Sequence, residues 1–390
     1  MVRAQVDCGA LEFMRVITLT PFYPTASDDA AGCFVAEPIR ALEAFAVESC
    51  IVAVQPFYKE RPTPNGHPAQ WFRYLAIPGG TGLPSSGALL YASLRSKIRK
   101  LHESHRIDLI HAHAALPCGH AAMLLSQELR IPFVVTVHGL DAFFDMQVGG
   151  FAGRWCRRVA GSVYQAAARV ICISTKVVDA LTSSGMFANV RVIHNGVDPS
   201  RFSPGQSDPA HSKILSIGNL IPTKGHEMLL RAFARLHEQH PTVSCDIVGD
   251  GPEHSRLTRL AEQLNVAARV RFLGRLPRKQ VADALQRCTI FALPSSYEGL
   301  GCVYLEAMSA EKPVIACRGQ GIEDVIQHRH NGWLVGPDHL QGMAEALSTL
   351  LQDWELQRRI GSAARKSILD GHTLTHQAAS LAHLYRECAA

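Results

Sequence analysis

The chain has 390 residues, of which 47% are hydrophobic and 19% are charged. This length exceeds one typical hydrophobic core and suits two domains, and the composition excludes global disorder. The formal net charge is +5 and the pI is about 8.6, so anionic small molecules, nucleic acid and an anionic membrane are all compatible partners. No apolar run reaches the roughly eighteen residues that a transmembrane helix needs.

The N-terminal segment and the cysteines indicate the compartment. Residues 15–19 form a short apolar run that Pro21 and Pro24 follow closely, which predicts a buried first strand rather than a signal peptide. The eleven cysteines lie mostly in apolar runs, as Cys172 does, without a Cys-x-x-Cys pair. We therefore predict buried free thiols in a cytoplasmic protein.

Apolar, β-rich runs alternate with helical patterns along the chain. The predicted strands of the first half are residues 15–19, 50–54, 108–113, 132–138, 169–173 and 190–193, with helices such as 88–105 and 119–129. Those of the second half are 213–217, 245–248, 269–273, 290–293 and 314–316, with helices such as 226–240, 252–264 and 279–287. This alternation predicts an α/β protein with parallel sheets that helices cover on both faces.

Proline, glycine, serine and aspartate cluster at residues 195–209 and interrupt the alternation. We place a domain boundary near residues 200–212 and predict two doubly wound domains that face a central cleft. Ligands of open α/β sheets bind beyond the carboxyl ends of the strands. Polar and glycine residues gather at these predicted ends: His111 and His113, His138-Gly139, Gly218-Asn219, residues 249–252 and residues 294–298.

The most informative segment is EGLGCVYLEAM at residues 298–308. A strand ends, two glycines follow and a helix begins, which predicts an anion site made of free amides and the positive end of the helix dipole. Glu298 and Glu306 then face the same side and suit ligand hydroxyl groups. The alternative is that Glu298 caps the helix and Glu306 is a solvated helix residue.

A cation for this anion site is available at Lys224. It stands in a proline-bearing loop between a predicted strand and a predicted helix, in the sequence GNLIPTKG at residues 218–225. From there an amine can reach a diphosphate held at the other helix start. The alternative is a solvated loop lysine.

Residues 298–306 resemble the E-x7-E motif of glycosyltransferase family 4, and residues 218–225 resemble its diphosphate-binding loop. The segments 195–198, 249–252 and 331–335 also match, and His138-Gly139 resembles the catalytic-cleft histidine of the family. The resemblance runs from Pro21 to the last helix and is densest in the second half.

The resemblance implies a GT-B fold with two Rossmann-like domains, a retaining reaction and no catalytic metal. It implies an acceptor-binding domain at residues 1–200 and a nucleotide-sugar-binding domain at 212–374, with the last helix, about residues 375–390, packed back onto the first. A UDP-sugar or GDP-sugar is then the donor substrate and no other cofactor is expected. The acceptor is a glycan or a lipid-linked molecule, and cell-envelope or exopolysaccharide synthesis is the implied process.

Carried over by position, the resemblance assigns His138 to the transferred sugar near the reaction centre, Lys224 to the leaving diphosphate and Glu306 to the donor ribose. Glu298 contacts the transferred sugar together with the amides that follow it. The donor-binding set is Gly32, Asn219, Lys224, Gly251, Glu298, Gly299, Leu300, Gly301, Cys302, Val303 and Glu306. His113 and Asp141 are candidates on the acceptor side, although His113 suits a structural position in the cleft wall equally well.

One position departs from the family, which often has arginine where Asn219 stands. Either a basic residue such as Arg318 substitutes, or Asn219 donates through its uncharged amide. Two mechanisms fit the sequence. In the first, the acceptor attacks from the same face and the leaving phosphate takes its proton; in the second, the sugar forms a covalent intermediate on Glu298.

A metal site is not predicted, since His111, His113 and His120 lack cysteine or carboxylate partners at ligand spacing and no strand ends in Asp-x-Asp. Basic clusters at residues 95–100 and 154–158 suit an anionic membrane surface, which makes peripheral attachment at the cytoplasmic membrane face an option. A solvated helix face explains them as well. Nucleic acid is not a predicted partner, and the sequence does not indicate an oligomeric state.

Two other functions use the same features. A nucleotide-sugar 2-epimerase has the same donor pocket without an acceptor, and a non-catalytic subunit binds the sugar nucleotide alone. A Rossmann dehydrogenase is disfavoured, because no Gly-x-Gly-x-x-Gly follows the first strand.

Overall fold

The computed structural model describes residues 13–60, 63, 69–139, 148–186, 189–205, 212–236 and 239–390. Two compact units divide these residues. The first contains the chain up to Cys172, Ala180–Ile193 and Thr375–Ala390, and the second contains Ile173–Asp179 and His194–Leu374. Each unit is built on one parallel sheet, which confirms the predicted α/β class.

The first unit contains a seven-stranded sheet in the order β3-β2-β1-β4-β5-β6-β7. Its strands are β1 Met14–Thr20, β2 Val47–Pro56, β3 Gln70–Tyr74, β4 Leu109–His113, β5 Phe133–Val137, β6 Arg169–Cys172 and β7 Val190–Val192. The helices between these strands in the chain are α1 Cys33–Leu42, α2 Leu83–Ser104, α3 His120–Leu129, α4 Gly150–Ala166 and α5 Thr175–Ser183, and the part of α5 up to Asp179 belongs to the second unit. The central strands β1, β4 and β5 are buried along almost their whole length, mostly with apolar residues, because helices cover both faces.

The second unit contains a six-stranded sheet in the order β10-β9-β8-β11-β12-β13. Its strands are β8 Lys213–Ile217, β9 Ser244–Val248, β10 Val270–Phe272, β11 Ile290–Leu293, β12 Val314–Cys317 and β13 Trp333–Val335. Its helices are α6 His226–Leu236, α7 His254–Gln263, α8 Arg278–Arg287, α9 Cys302–Ser309, α10 Leu340–Gln352 and α11 Trp354–Gly371. The order corresponds to the Rossmann order 3-2-1-4-5-6.

The last helix, α12 at Leu374–Ala389, supplies core residues of the first unit. Leu381, Leu384 and Tyr385 are buried there in one cluster with Val16 of β1 and Leu109 of β4. The C-terminal end of the chain therefore completes the hydrophobic core of the N-terminal sheet.

Strands β3 and β13 were not among the predicted strands. Both lie at the edge of a sheet. β3 has the sequence QWFRY with mostly exposed or half-exposed residues, and β13 has only three residues. Neither produces the apolar run that marks a buried strand. None of the helices in the described part of the chain is both long enough and apolar enough to cross a bilayer.

Candidate active site

The strand order of the second unit reverses between β8 and β11. From β8 the chain runs outward to β9 and β10 and then returns to the other side of β8 as β11. The loop at residues 218–225 follows β8, and the loop at residues 294–301 follows β11. Both loops therefore lie at the carboxyl edge beside the reversal, where open α/β sheets bind their ligands.

Backbone contacts join these two loops. The Ser295 hydroxyl and the Ser296 amide both donate to the Thr223 carbonyl, at 2.9 and 2.8 Å. Gly225 has φ +71°, and a Cβ at this position would lie 2.0 Å from the Pro294 carbonyl oxygen. A glycine is needed at 225 because the second loop passes so close to it.

Lys224 and Glu298 form an ion pair across the two loops. Their side chains are only 19% and 11% exposed, so each charge has lost most of its water and needs the other. The Glu298 amide donates to Gln320 Oε1 at 2.9 Å, and the Gly321 amide donates to the Glu298 carbonyl at 3.1 Å. Both groups are thus held at the sheet reversal, and the lysine is not simply a solvated loop residue.

Helix α9 begins directly after Glu298-Gly299-Leu300-Gly301. Gly301 has φ +82°, and no side chain caps the helix. The Ser174 hydroxyl donates to the Gly299 carbonyl and so helps to fix the loop that precedes the helix. An uncapped helix start beside the Lys224 amine offers an anion both amide donors and a positive charge.

Glu306 lies within α9 and is 4% exposed, so it is not a solvated helix residue. It forms an ion pair with Arg278, the first residue of α8, which is itself buried. The Arg278 guanidinium carbon lies 4.9 Å from the centre of the Phe202 ring. Sequence reasoning missed Arg278, because nothing in its spacing connects residues 278 and 306 before the chain folds.

Asn219 and Gly251 lie beside the same reversal. Asn219 is exposed in the loop that follows β8. The next amide, that of Leu220, donates to the Asp250 carbonyl at 2.9 Å. A Cβ at Gly251 would lie 2.5 Å from the Leu220 carbonyl oxygen, so the glycine permits this close packing. Arg318, the candidate substitute for a second cation, is exposed and lies 3.6 Å from Glu323.

In the first unit the strand order reverses between β1 and β4. The loop after β1 leads to Gly32, which has φ +72° and precedes α1. A Cβ at Gly32 would lie 2.5 Å from the backbone nitrogen of Tyr23, so the loop folds tightly onto itself. The predicted site residue Asp141 lies outside the described residues.

Three histidines at the carboxyl ends of β4 and β5 form a cluster. His113 Nδ1 lies 2.9 Å from His138 Nε2. His111 Nδ1 lies 2.7 Å from the Tyr385 hydroxyl, and His111 Nε2 lies 2.7 Å from the Thr136 hydroxyl. The His138 ring packs against Phe34, with 4.8 Å between ring centres. Site residues of the first unit are thus held by ring contacts and buried hydrogen bonds.

Burial keeps the three rings neutral. It lowers the pKa of His111 and of His138 to about 3, and it lowers the pKa of His113 well below its usual value. Part of His138 remains exposed, but its Nδ1 is buried and its Nε2 faces His113. At neutral pH these histidines form their hydrogen bonds as uncharged rings.

Two domain families match this chain. The family described as Glycosyltransferase Family 4 matches residues 34–201, and the family described as Glycosyl transferases group 1 matches residues 201–367. Among curated proteins, the glycogen synthase of Mycobacterium tuberculosis H37Rv is 28% identical over 303 residues, which are 76% of this chain and 73% of that protein.

Solved structures share the architecture. Sucrose-phosphate synthase from Thermosynechococcus elongatus superposes with a TM-score of 0.77 at 21% identity, over 96% of this chain and 98% of that one. HepE from Anabaena, in complex with UDP-glucose, superposes with a TM-score of 0.74 at 21% identity, over 96% of this chain and 100% of that one. The fold and the matched domains define a glycosyltransferase of the GT-B fold. The chain belongs to glycosyltransferase family 4.

The buried histidines predict that the protein loses stability in acid. In the unfolded chain a histidine takes up a proton near pH 6.5, whereas His111 and His138 in the folded chain do so only near pH 3. Between these values the unfolded state binds more protons, so each such histidine lowers the free energy of unfolding by about 1.4 kcal/mol per pH unit. We expect the melting temperature to fall steadily from pH 7 to pH 5 in calorimetry.

The control is a pair of variants. His111→Asn removes one buried titrating ring and should make the fall in melting temperature less steep. His105→Asn changes an exposed ring and should leave it unaltered. A melting temperature that stays constant from pH 7 to pH 5 contradicts the neutral state of the cluster.

Proposed function

We propose that this chain transfers a hexose-type sugar from a UDP-sugar or GDP-sugar to a glycan or lipid-linked acceptor. The sugar keeps its anomeric configuration, and neither a metal ion nor another cofactor takes part. The process we propose is polysaccharide synthesis for the cell envelope. The observation that carries this proposal is the Lys224–Glu298 pair beside the start of α9.

The chemistry follows from the charges at that point. Breaking the bond between the sugar and the diphosphate leaves negative charge on the diphosphate and positive charge on the sugar. Lys224 and the amides from Gly299 to Val303 stabilise the first, and the Glu298 carboxylate lies where it can stabilise the second. The Lys224 amine can stabilise the diphosphate charge without a metal ion, because the ion pair fixes its position and most of its water is lost.

In the proposed reaction the acceptor hydroxyl attacks the anomeric carbon from the face that the diphosphate leaves. The bond between that carbon and the diphosphate oxygen breaks, and the leaving phosphate oxygen takes the acceptor proton. Glu298 then orients the sugar instead of forming a bond to it.

We assign the donor ribose to Glu306. One carboxylate oxygen of Glu306 accepts from Arg278, so the residue stays charged although it is buried. A charged carboxylate accepts hydrogen bonds from two neighbouring hydroxyls, which fits a ribose. Arg278 is thus part of the proposed donor site as the partner that holds Glu306.

Two helices of the first unit support a membrane-bound acceptor. Helix α4 exposes the residues Phe151 and Trp155, at 72% and 44% of their full accessible area. It also exposes Arg154 and Arg158 and contains no acidic residue. Helix α2, which contacts α4, exposes the basic residues of segment 95–100. Aromatic and basic side chains on one surface bind anionic lipid headgroups. We therefore propose peripheral attachment to the cytoplasmic membrane face.

The first test concerns the diphosphate. A thermal-shift screen with UDP, GDP and ADP should raise the melting temperature with at least one nucleotide. Lys224→Ala should then weaken binding of that nucleotide about tenfold or more, which is about 1.4 kcal/mol, and should slow transfer at least as much. Calorimetric titration measures the affinity, and EDTA should leave the rate unchanged.

Lys279→Ala is the matched control, because Lys279 is exposed on α8 next to Arg278. It should bind nucleotide as the unmodified chain does. Equal affinity in the Lys224 and Lys279 variants removes Lys224 from the site. Donor converted without any acceptor into an isomerised nucleotide sugar identifies an epimerase instead.

The second test concerns the ribose. The unmodified chain should bind UDP more tightly than 2′-deoxy-UDP by roughly 1.5–3 kcal/mol, the value of a hydrogen bond to a charged group. Glu306→Gln should lose most of this difference, whatever it does to stability, because both ligands are compared on the same variant. A chain that binds the two ligands equally contradicts the ribose assignment.

The third test concerns the membrane surface. The chain should float with vesicles that contain anionic phosphatidylglycerol, and less with pure phosphatidylcholine or in high salt. Replacing Arg154 and Arg158 by Gln should weaken this binding by about 2 kcal/mol, and Phe151→Ser with Trp155→Ser should weaken it further.

Trp354→Ser is the control for the aromatic pair. Trp354 is 64% exposed and lies beside Arg358, but it belongs to the second unit. This variant should float as the unmodified chain does. If it floats as poorly as the α4 variants, or if the unmodified chain does not float at all, then α4 is only a solvated surface.

A further inference from the structure

The segment at residues 198–205 packs against α8 and α9, the two helices that carry the proposed ribose site. The hydroxyl of Ser309, the last residue of α9, donates to the Phe202 carbonyl at 2.8 Å. The side-chain amide of Gln286, near the end of α8, donates to the Ser203 hydroxyl at 3.1 Å. One short stretch of chain therefore joins the two helices.

Hydrogen bonds and close packing also fix the segment itself. The Asp198 carboxylate accepts from the Ser200 amide at 2.9 Å and from its hydroxyl at 2.6 Å. The Phe202 amide donates to the Asp198 carbonyl at 3.1 Å. At the other end, a Cβ at Gly205 would lie 2.5 Å from the Gln286 Cβ, so the backbone runs close against α8. The side chains of this segment are thus presented from a fixed backbone.

The Phe202 side chain meets the cation of the proposed ribose site. Phe202 is fully buried, and the Arg278 guanidinium carbon lies over its ring, 4.9 Å from the centre. The Arg278 side chain is only 11% exposed, and an aromatic face attracts a cation more strongly when little water surrounds it. The guanidinium therefore lies between two fixed partners, the Phe202 ring and the Glu306 carboxylate.

We propose that Phe202 is a positioning residue that fixes Arg278 and, through Arg278, the Glu306 carboxylate for the donor ribose. This inference rests on the proposed function, in which Glu306 binds the ribose. A carboxylate that is already in place accepts from the ribose hydroxyls without first being ordered, and ordering it would cost free energy on binding. The ring thus contributes to ribose binding without touching the ligand.

Phe202→Leu keeps most of the apolar volume and removes the aromatic face. We expect it to weaken UDP binding about threefold or more and to change 2′-deoxy-UDP binding little, so that the ratio of the two affinities falls. Calorimetric titration measures both ligands on each variant, so a loss of stability does not enter the ratio. If the nucleotide screen selects GDP, then GDP and 2′-deoxy-GDP are the pair to compare.

Two further replacements keep the test decisive. Phe202→Tyr retains the aromatic face and should retain most of the affinity ratio. If Phe202→Leu does not fold, Phe202→Met takes its place, because a flexible unbranched side chain refills the space without an aromatic face. An equal loss of the ratio in the Tyr and Leu variants overturns the role of the aromatic face.

Phe233→Leu is the matched control. Phe233 is fully buried in α6 and belongs to the hydrophobic core of the same unit. The same substitution there should lower the melting temperature but leave the affinity ratio unchanged. If it lowers the ratio as much as Phe202→Leu does, the effect is a general loosening of the unit and the inference is overturned.

The failure of this inference and that of the proposed function are distinguishable. If the unmodified chain binds the ribose and the deoxyribose nucleotide equally, the ribose role of Glu306 fails, whatever the Phe202 variants do. If the unmodified chain prefers the ribose nucleotide and Phe202→Leu keeps the full preference, the proposed function stands and the positioning role of Phe202 is refuted.

Discussion

The reversal of strand order between β8 and β11 is the constraint on which the proposed donor site depends. Parallel strands end at one edge of the sheet, so the loop that carries Lys224 and the loop that carries Glu298 leave the sheet side by side. Their approach is so close that only a glycine fits at position 225. An amine and a carboxylate 74 residues apart in the chain therefore meet.

The two glutamates of the E-x7-E segment are each paired with a cation. Glu298 holds Lys224, and Glu306 holds Arg278. Both pairs follow from the same physical requirement, since a carboxylate that has lost its water needs a compensating charge. Their proposed roles differ in consequence. A bound diphosphate competes with Glu298 for Lys224, whereas the more deeply buried Arg278 can stay with Glu306 while a ribose binds.

The proposed site residues of the first unit are neutral histidines, whereas those of the second unit are charged and ion-paired. The histidines are connected by hydrogen bonds, and burial lowers the pKa of His138 to about 3, so the cluster stays uncharged at neutral pH. Tyr385 of the C-terminal helix takes part in this cluster. The end of the chain thus contributes both to the core of the first unit and to the surroundings of its proposed site residues.

The sequence by itself determined the α/β class and the strands at the centre of each sheet, because their burial on both faces requires continuous apolar runs. It also determined the loop and helix start at residues 298–306, because glycines and carboxylates at that spacing are local features. The edge strands β3 and β13 escaped prediction since partial exposure or short length leaves no such run. Only the tertiary structure decided that Arg278 pairs with Glu306 and that His113 meets His138, because both contacts join residues that are distant in the chain and become neighbours through strand order and helix packing.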